Sequence, residues 1–250
     1  MTQVPLTPLP FTERLALKLL RRFSPRWRAR TELFYEPYRQ WTDWQSGLGD
    51  AAHLLYSLVR MTNPVTIVEI GSARGYSTCA MALACAENGR GKVHAIDPHI
   101  LNEWTDVGTG GHTLHFLKQR LSDYQLEPFC QVLNVTSSAA ARDWKTPIDL
   151  LFIDGDHTLA GVKLDFESFA PWVGSEGLVL VHDSMWERAQ PWTAFRGESW
   201  FREEMGVPQY LRDLQSAGYQ AVSFGPVPGL TIMHSQPGIF DLLKGRQKRA

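Results

Sequence analysis

The sequence predicts an α/β fold, a doubly wound sheet of seven strands that is mostly parallel, with an antiparallel last strand and helices ahead of it. Three observations lead there. From residue 65 onward, short apolar runs rich in Val and Ile alternate with segments of helical length. That is the pattern of βαβ units, whose parallel sheet is covered on both faces. The last two runs are joined by only four residues, PVPG, enough for a hairpin and too few for a parallel crossover. Acids and histidines cluster just past the apolar runs, where an open α/β sheet collects its ligands.

Residues 31–62 read as helical, and their last part, DAAHLLYSLVR from Asp50, stops at Asn63-Pro64 because the residue before a proline avoids the helical region. VTIVEI (65–70) is apolar and β-branched, hence a buried strand. YSTCAMALACAENG (76–89) is a helix ended by Gly89. VHAID (93–97) is a strand, and TLHFLKQRLSDY (113–124) is a helix with its leucines on one side. FCQVLNV (129–135) is a strand, followed by a short helix from about Ser137. IDLLFID (148–154) is a strand, LAGVKLDFESFAPW (159–172) a helix and GLVLVHD (177–183) a strand. VPQYLRDLQSAG (207–218) is a helix before the closing strands QAVSFG (220–225) and LTIMH (230–234). NEWTDVGTGGH (102–112) and residues 185–206 lack a regular period, and long loops at a ligand face serve as walls or lids. The second loop holds Trp186, Trp192 and Trp200, whose rings suit the flat apolar faces of a sugar or a fused-ring acceptor. The expected organisation is an N-terminal helical extension (1–47), a main domain (48–235) and a basic C-terminal tail (236–250).

The 250 residues are 44% hydrophobic and 20% charged, with a formal net charge of -1. This is ordinary globular composition and gives no support to a nucleic-acid partner. No apolar run approaches the ~20 residues that span a bilayer, and the start lacks the order of a secretory signal. Cys79, Cys85 and Cys130 lie in apolar surroundings without metal-site spacing. They read as reduced core residues of a cytoplasmic protein. Residues 11–30 carry seven Arg or Lys against one Glu. The segment reads as a helix packed on the main domain with its basic side in solvent; weak peripheral contact with anionic lipid is the alternative. A helical preface of this size could also serve a homo-oligomer interface.

The first strand runs into GSARGYST (71–78). Gly71 allows a tight turn, and Gly75 a close approach of ligand or helix. Ala73 stands where a dinucleotide fingerprint needs its second glycine, which argues against NAD and a dehydrogenase. Glu69 at the strand end would repel a phosphate and suits an amino group. Asp97 closes the second strand, where an acid accepts both hydroxyls of a ribose. An amino-acid end near Glu69 and Ser77, with a ribose at Asp97, describes S-adenosylmethionine. The blander alternatives are a strand-end ion pair for Glu69 and a turn cap for Asp97.

VEIGSARGYST (68–78), AIDPH (95–99), LLFIDGDHTLAGVKLDF (150–166) and GLVLVHDS (177–184) resemble the successive motifs of class I methyltransferases. They are most similar to the small O-methyltransferase group that includes cephalosporin-hydroxylase-like and sugar O-methyltransferases. Catechol-type metal-dependent enzymes are more distant, and the resemblance covers residues 48–234. It implies a Rossmann-like sheet, S-adenosylmethionine as cofactor, and methyl transfer to a hydroxyl of a small molecule, sugar or glycan. It also implies Glu69, Gly71 and Ser77 at the methionine part, with Ser72 and Gly75 in the same loop. Asp97 would hold the ribose, and Ser137, in the Val135–Ser138 stretch, would lie by the adenine.

Asp154, Asp156 and His157 follow the fourth strand, while His182 and Asp183 end the fifth. Neighbouring strand ends would bring these groups together beside the transferable methyl. Asp156 is expected to cap the helix that starts near Thr158. The resemblance implies a divalent metal, Mg or Mn, on Asp154 and Asp183, with His182 as third ligand. His157 or His182 would take the acceptor's proton, assisted by Asp154. Related enzymes carry an amide where Ser184 stands, or a Glu where His182 stands, so the third ligand departs from both patterns. The alternative is a metal-free general base, a histidine oriented by Asp154 or Asp183.

Overall fold

The computed structural model describes residues 11–13, 15, 24–36, 46–100, 113–186, 205–225 and 228–234. The expected wall at 102–112, most of the Trp-rich segment and the basic tail lie outside the described residues.

Helix α1 (Pro25–Arg30) is capped by Ser24, whose hydroxyl accepts from the Trp27 N–H at 3.4 Å. Proline in its first turn loses no intrahelical bond. The helix widens into a π turn over Thr31–Tyr35. The helical run expected over 31–62 is therefore broken: residues 46–50 are loop and turn, and helix α2 spans Ala51–Thr62. Asp50 stands at the cap without a side-chain cap bond, and the helix stops at a left-handed Asn63 ahead of Pro64.

The strands are β1 (Thr66–Ile70), β2 (Lys92–Ile96), β3 (Cys130–Leu133), β4 (Ile148–Ile153), β5 (Val173–His182), β6 (Ala221–Phe224) and β7 (Leu230–His234). They form one sheet in the order β3-β2-β1-β4-β5-β7-β6. The first five pair in parallel, and β7 runs antiparallel between β5 and β6. The hairpin expected from PVPG is thus the β6–β7 pair. Ile70 lies opposite Ile96 on one side and Ile153 on the other, so the segments leaving β1, β2 and β4 emerge side by side at one edge.

The remaining helices are α3 (Tyr76–Asn88), α4 (Thr113–Asp123), α5 (Ser137–Arg142), α6 (Leu159–Phe169) and α7 (Val207–Ser216). Helix α6 ends earlier than the expected 172. A single 3₁₀ turn, Ala170–Trp172, follows it around Pro171, which lacks the N–H an α-helix requires. Side-chain alternation divides the core. Ile67, Phe152 and Leu180 pack with α2, α3 and α4, whereas Val68, Leu151 and Val179 pack with α6 and α7. Both faces of the sheet are covered, which is why β1 is buried at every position.

Helix α3 is buried from Tyr76 to Ala86, so it needs cover on the side away from the sheet. Helix α2 and the α1 segment supply it. Ala29 and Leu33 join the same cluster, and the Tyr76 hydroxyl donates to the Leu33 carbonyl at 2.8 Å. Arg30 pairs with Glu87 at 2.6 Å, and Arg28 with Glu32 at 2.8 Å. The buried Glu32 also accepts from the Tyr124 hydroxyl at 2.5 Å, and Arg26 lies 5.5 Å from the Phe129 ring centroid. Among the described residues the segment packs on the main domain as expected, but Arg28 and Arg30 pair with acids where a solvated basic side was expected. Cys79, Cys85 and Cys130 are free and buried, and burial pushes the Cys85 thiol up to about 12. Among the described residues no helix is long and apolar enough to cross a membrane.

Candidate active site

Three loops meet at the carboxyl edge. The Gly71 N–H donates to the Ile96 carbonyl at 2.9 Å, and the Asp154 N–H donates to the Ile70 carbonyl at 2.9 Å. Gly71 is required by contact as well as by conformation. Its φ is +88°, and a Cβ there would lie 2.0 Å from the Asp154 carbonyl oxygen. Gly75 serves a helix: a Cβ would lie 2.4 Å from Leu117 Cδ1 of α4.

Glu69 is fully buried, and its two carboxyl oxygens accept from the Ser77 and Thr78 hydroxyls at the start of α3. Burial pushes its pKa up to about 8 against the opposing effect of those two donors, with Asp154 and Asp97 adding to the rise. Glu69 is therefore a nearly neutral acid beneath the loop, and Ser77 is already engaged with it. Asp97 joins two loops. Its Oδ2 accepts from the Ala73 N–H at 2.8 Å and its Oδ1 from the His99 N–H at 2.6 Å. Each oxygen keeps acceptor capacity for a further donor. The Ser72 hydroxyl is buried without a hydrogen-bond partner. Ser137 opens α5 behind its Thr136 cap and hydrogen-bonds Asp165 of α6, whose carboxyl is pushed up to about 6 by burial.

The second cluster joins the ends of β4 and β5. His157 Nε2 lies 2.6 Å from Asp183 Oδ2, and His182 Nδ1 lies 3.3 Å from the same oxygen. His182 Nδ1 is also 3.0 Å from Asp154 Oδ1. The result is a continuous chain, His157–Asp183–His182–Asp154. Asp183 holds a φ of +54°, a conformation that costs a non-glycine residue about 1 kcal/mol or more. Burial would lower the basicity of both imidazoles. The Asp183 and Asp154 carboxylates outweigh it and raise both, His182 well above its ordinary value. Burial would raise the Asp183 carboxyl, yet the two imidazoles hold it well below the usual carboxylate range.

This donor set also suits a cation. Ligand atoms of Asp154, His182 and Asp183 all lie within 4.8 Å of one another, close to the separations around an ion with bonds of about 2.0–2.2 Å. Two carboxylates beside two imidazoles can be neutralised by two protons or by one divalent ion, so the charge balance fits either. The Ser184 hydroxyl, next in sequence, is buried without a partner. Asp156 is not the helix cap expected. Its Oδ1 accepts from the Thr158 N–H at 2.9 Å, and Thr158 caps α6 through the Gly161 N–H at 3.1 Å.

The structure thus brings Glu69, Gly71, Ser72, Ser77 and Asp97 around the first two loops. Asp154, His157, His182 and Asp183 form the adjacent cluster, while Gly75 and Ser137 turn toward protein partners. Sequence reasoning missed Thr78, His99 and Asp165. Thr78 was signalled only by adjacency to Ser77, His99 by its place two residues after Asp97, and Asp165 by a lone acid on the apolar side of a helix.

Together these features describe one architecture: a seven-stranded sheet with an inserted antiparallel strand, and acids at the ends of β1, β2, β4 and β5. Residues 68–184 match the family model of a methyltransferase domain. The chain is 28% identical over 169 residues to a provisionally named caffeoyl-CoA O-methyltransferase of Arabidopsis thaliana, covering 67% of this chain and 63% of that protein. It is 30% identical over 130 residues to an uncharacterised protein of Sinorhizobium fredii, covering 51% of this chain and 14% of the relative. The chain therefore spans less than two thirds of either curated relative. Among solved structures, the S-adenosylhomocysteine-bound methyltransferase PaMTH1 of Podospora anserina has a TM-score of 0.59 at 14% identity, covering 91% of this chain and 98% of that one. The O-methyltransferase TomG of Streptomyces achromogenes, in complex with S-adenosylmethionine, has a TM-score of 0.58 at 14% identity, covering 81% and 88%. At that identity the two structures establish a shared fold.

Proposed function

We propose that the chain is an S-adenosylmethionine-dependent O-methyltransferase acting on a hydroxyl of a small molecule, sugar or glycan. One observation carries the reading. Glu69, Asp97 and Asp154 end neighbouring strands at one edge: Asp97 accepts from the Ala73 N–H of the loop after β1 at 2.8 Å, and the Asp154 N–H donates to the Ile70 carbonyl that ends β1 at 2.9 Å. A site for an amino acid joined to a ribose therefore adjoins the His157–Asp183–His182–Asp154 chain. S-adenosylmethionine, when bound, supplies an electrophilic methyl on its sulfonium. The Gly71–Gly75 loop takes the methionine end, with Ser72 offering its free hydroxyl and Glu69 bracing the loop from beneath through Ser77 and Thr78. Asp97 accepts the ribose hydroxyls, and Ser137 lies on the adenine side. Asp154, Asp183 and His182 are the residues that would hold Mg or Mn. Such an ion supplies Lewis-acid activation and orientation of an acceptor hydroxyl.

An alcohol is a weak nucleophile, so its proton must leave during or before attack. In its neutral form His157, held by Asp183 at 2.6 Å, is the base for that step; His182, raised further toward the charged form, is the second candidate. The hydrogen-bonded chain favours a metal-free variant on the same residues, since an imidazole oriented by a carboxylate gains typically ~10²–10⁴-fold. The test is methyl transfer to a panel of hydroxylated acceptors after exhaustive chelation, with Mg or Mn added back, alongside His157→Ala. Loss in chelator with recovery on add-back upholds the metal; full activity in chelator with a dead His157→Ala replaces it by the histidine. Calorimetry with S-adenosylmethionine and with NAD separates this reading from a dehydrogenase or a non-catalytic binding protein. Binding of NAD alone would end it. The reading takes 48–235 as the catalytic domain and the three buried thiols as suited to a reducing, cytoplasmic setting.

A further inference from the structure

His99 is the buried polar group at this edge that the site above does not use. Its side chain is 2% exposed. Nδ1 lies 2.8 Å from the Thr113 hydroxyl at the start of α4, whereas Nε2 is buried with no hydrogen-bond partner. Leaving a buried donor or acceptor unpaired is costly, so a partner is missing. The backbone is also constrained. His99 has a φ of +49°, and its N–H is tied to Asp97 Oδ1 at 2.6 Å. The ring therefore stands against the acid, with Nδ1 3.8 Å from the same oxygen. Three of the five non-glycine residues with positive φ among those described are Ala73, His99 and Asp183, all on loops of the carboxyl edge.

We propose that His99 Nε2 is the second protein contact to the cofactor's ribose, pairing with a hydroxyl whose proton goes to Asp97. The inference rests on the S-adenosylmethionine reading. Its chemistry closes without a stray atom. In the tautomer this requires, the Thr113 hydroxyl donates to Nδ1 and Nε2–H is a donor; an ionised Asp97 accepts only. A ribose hydroxyl both donates and accepts, so one such group satisfies the two together. Burial lowers the basicity of His99, and a neutral ring suits a neutral hydroxyl better than a phosphate or carboxylate. The Nδ1–Thr113 bond also ties the residues just after β2 to the start of α4.

The experiment is calorimetry with S-adenosylhomocysteine and its 2′-deoxy and 3′-deoxy forms on the full chain. The variants are His99→Asn and Thr113→Val. Asn tolerates positive φ and places an amide where Nδ1 stands, but it has no counterpart of Nε2. Expected are a melting temperature for His99→Asn within a few degrees of wild type and about tenfold weaker binding of S-adenosylhomocysteine. Wild type should lose about tenfold on removal of one particular ribose hydroxyl, and His99→Asn should lose little on the same removal. Thr113→Val, which keeps Nε2, should retain the wild-type penalty for that deoxy form. The inference is overturned if His99→Asn binds the parent like wild type, or pays the same deoxy penalty as wild type. It is also overturned if His99→Asn melts far below wild type while Thr113→Val loses the penalty, because the ring would then act only through the loop. If wild type binds neither S-adenosylhomocysteine nor S-adenosylmethionine, the cofactor reading itself fails, a result distinct from the others.

Discussion

Glu69→Gln should change how stability depends on pH, and the sign follows from burial. The folded carboxyl titrates at about 8 rather than 4.5, chiefly because burial disfavours its charge. In the unfolded chain it ionises near the ordinary value. Between those two values the folded state holds a proton that the unfolded state has lost, so stability falls as pH rises through the window and levels off above about 8. Each pH unit is worth about 1.4 kcal/mol for one proton, so from about pH 5 to about pH 8 this single group removes on the order of 3 kcal/mol. Glutamine keeps the shape and can still bond the Ser77 and Thr78 hydroxyls, but it does not titrate. Urea unfolding of cofactor-free wild type and Glu69→Gln, compared at matched pH, isolates the effect, because the histidine–aspartate chain is common to both. The variant should gain on wild type progressively from about pH 5 to about pH 8. A difference that stays flat across that range would refute a buried, protonated Glu69.

Gly71→Ala should lower stability by roughly 2–4 kcal/mol, because a positive φ and a backbone oxygen 2.0 Å from the new Cβ leave it no room; a thermal melt reads this directly. Glu32→Ala strips a buried carboxylate from Arg28, Arg120 and the Tyr124 hydroxyl. It should cost about 2–4 kcal/mol by urea denaturation, with Tyr124→Phe costing about 1 kcal/mol.

The strands were legible because β1, β4 and β5 are buried on both faces and so read as unbroken apolar runs. The hairpin was legible because four residues permit no other connection. Their consequence was legible too: acids written at the ends of those runs had to share one edge. Pairing within that edge was not. Nothing in DGDH or HDS states that His157 takes Asp183 rather than Asp154, since that depends on a left-handed turn at Asp183 that local preference opposes. The turn at residues 46–50 was legible, by contrast, because Gly47 and Gly49 stand in it, and the helix expected across the whole stretch runs through both. Gly75 was read with ligand and helix as equal claimants, and only the position of Leu117 decides between them.

The cover on α3 has a bearing on how the chain emerges from the ribosome. A helix with no side suited to water is a hazard while it waits for partners, and this one is rich in Ala, Met and Cys. The segment that shields it, residues 25–35, is made about 40–50 residues earlier, which at about 5–20 residues per second is a lead of several seconds. The lid is therefore synthesised before the surface it closes. A circular permutant that carried residues 25–35 at the C-terminus would keep every contact in the finished fold while reversing that order. Its α3 would have only the α2 part of its cover until translation ended, so its soluble yield should fall even where its refolded stability matches that of the parent chain.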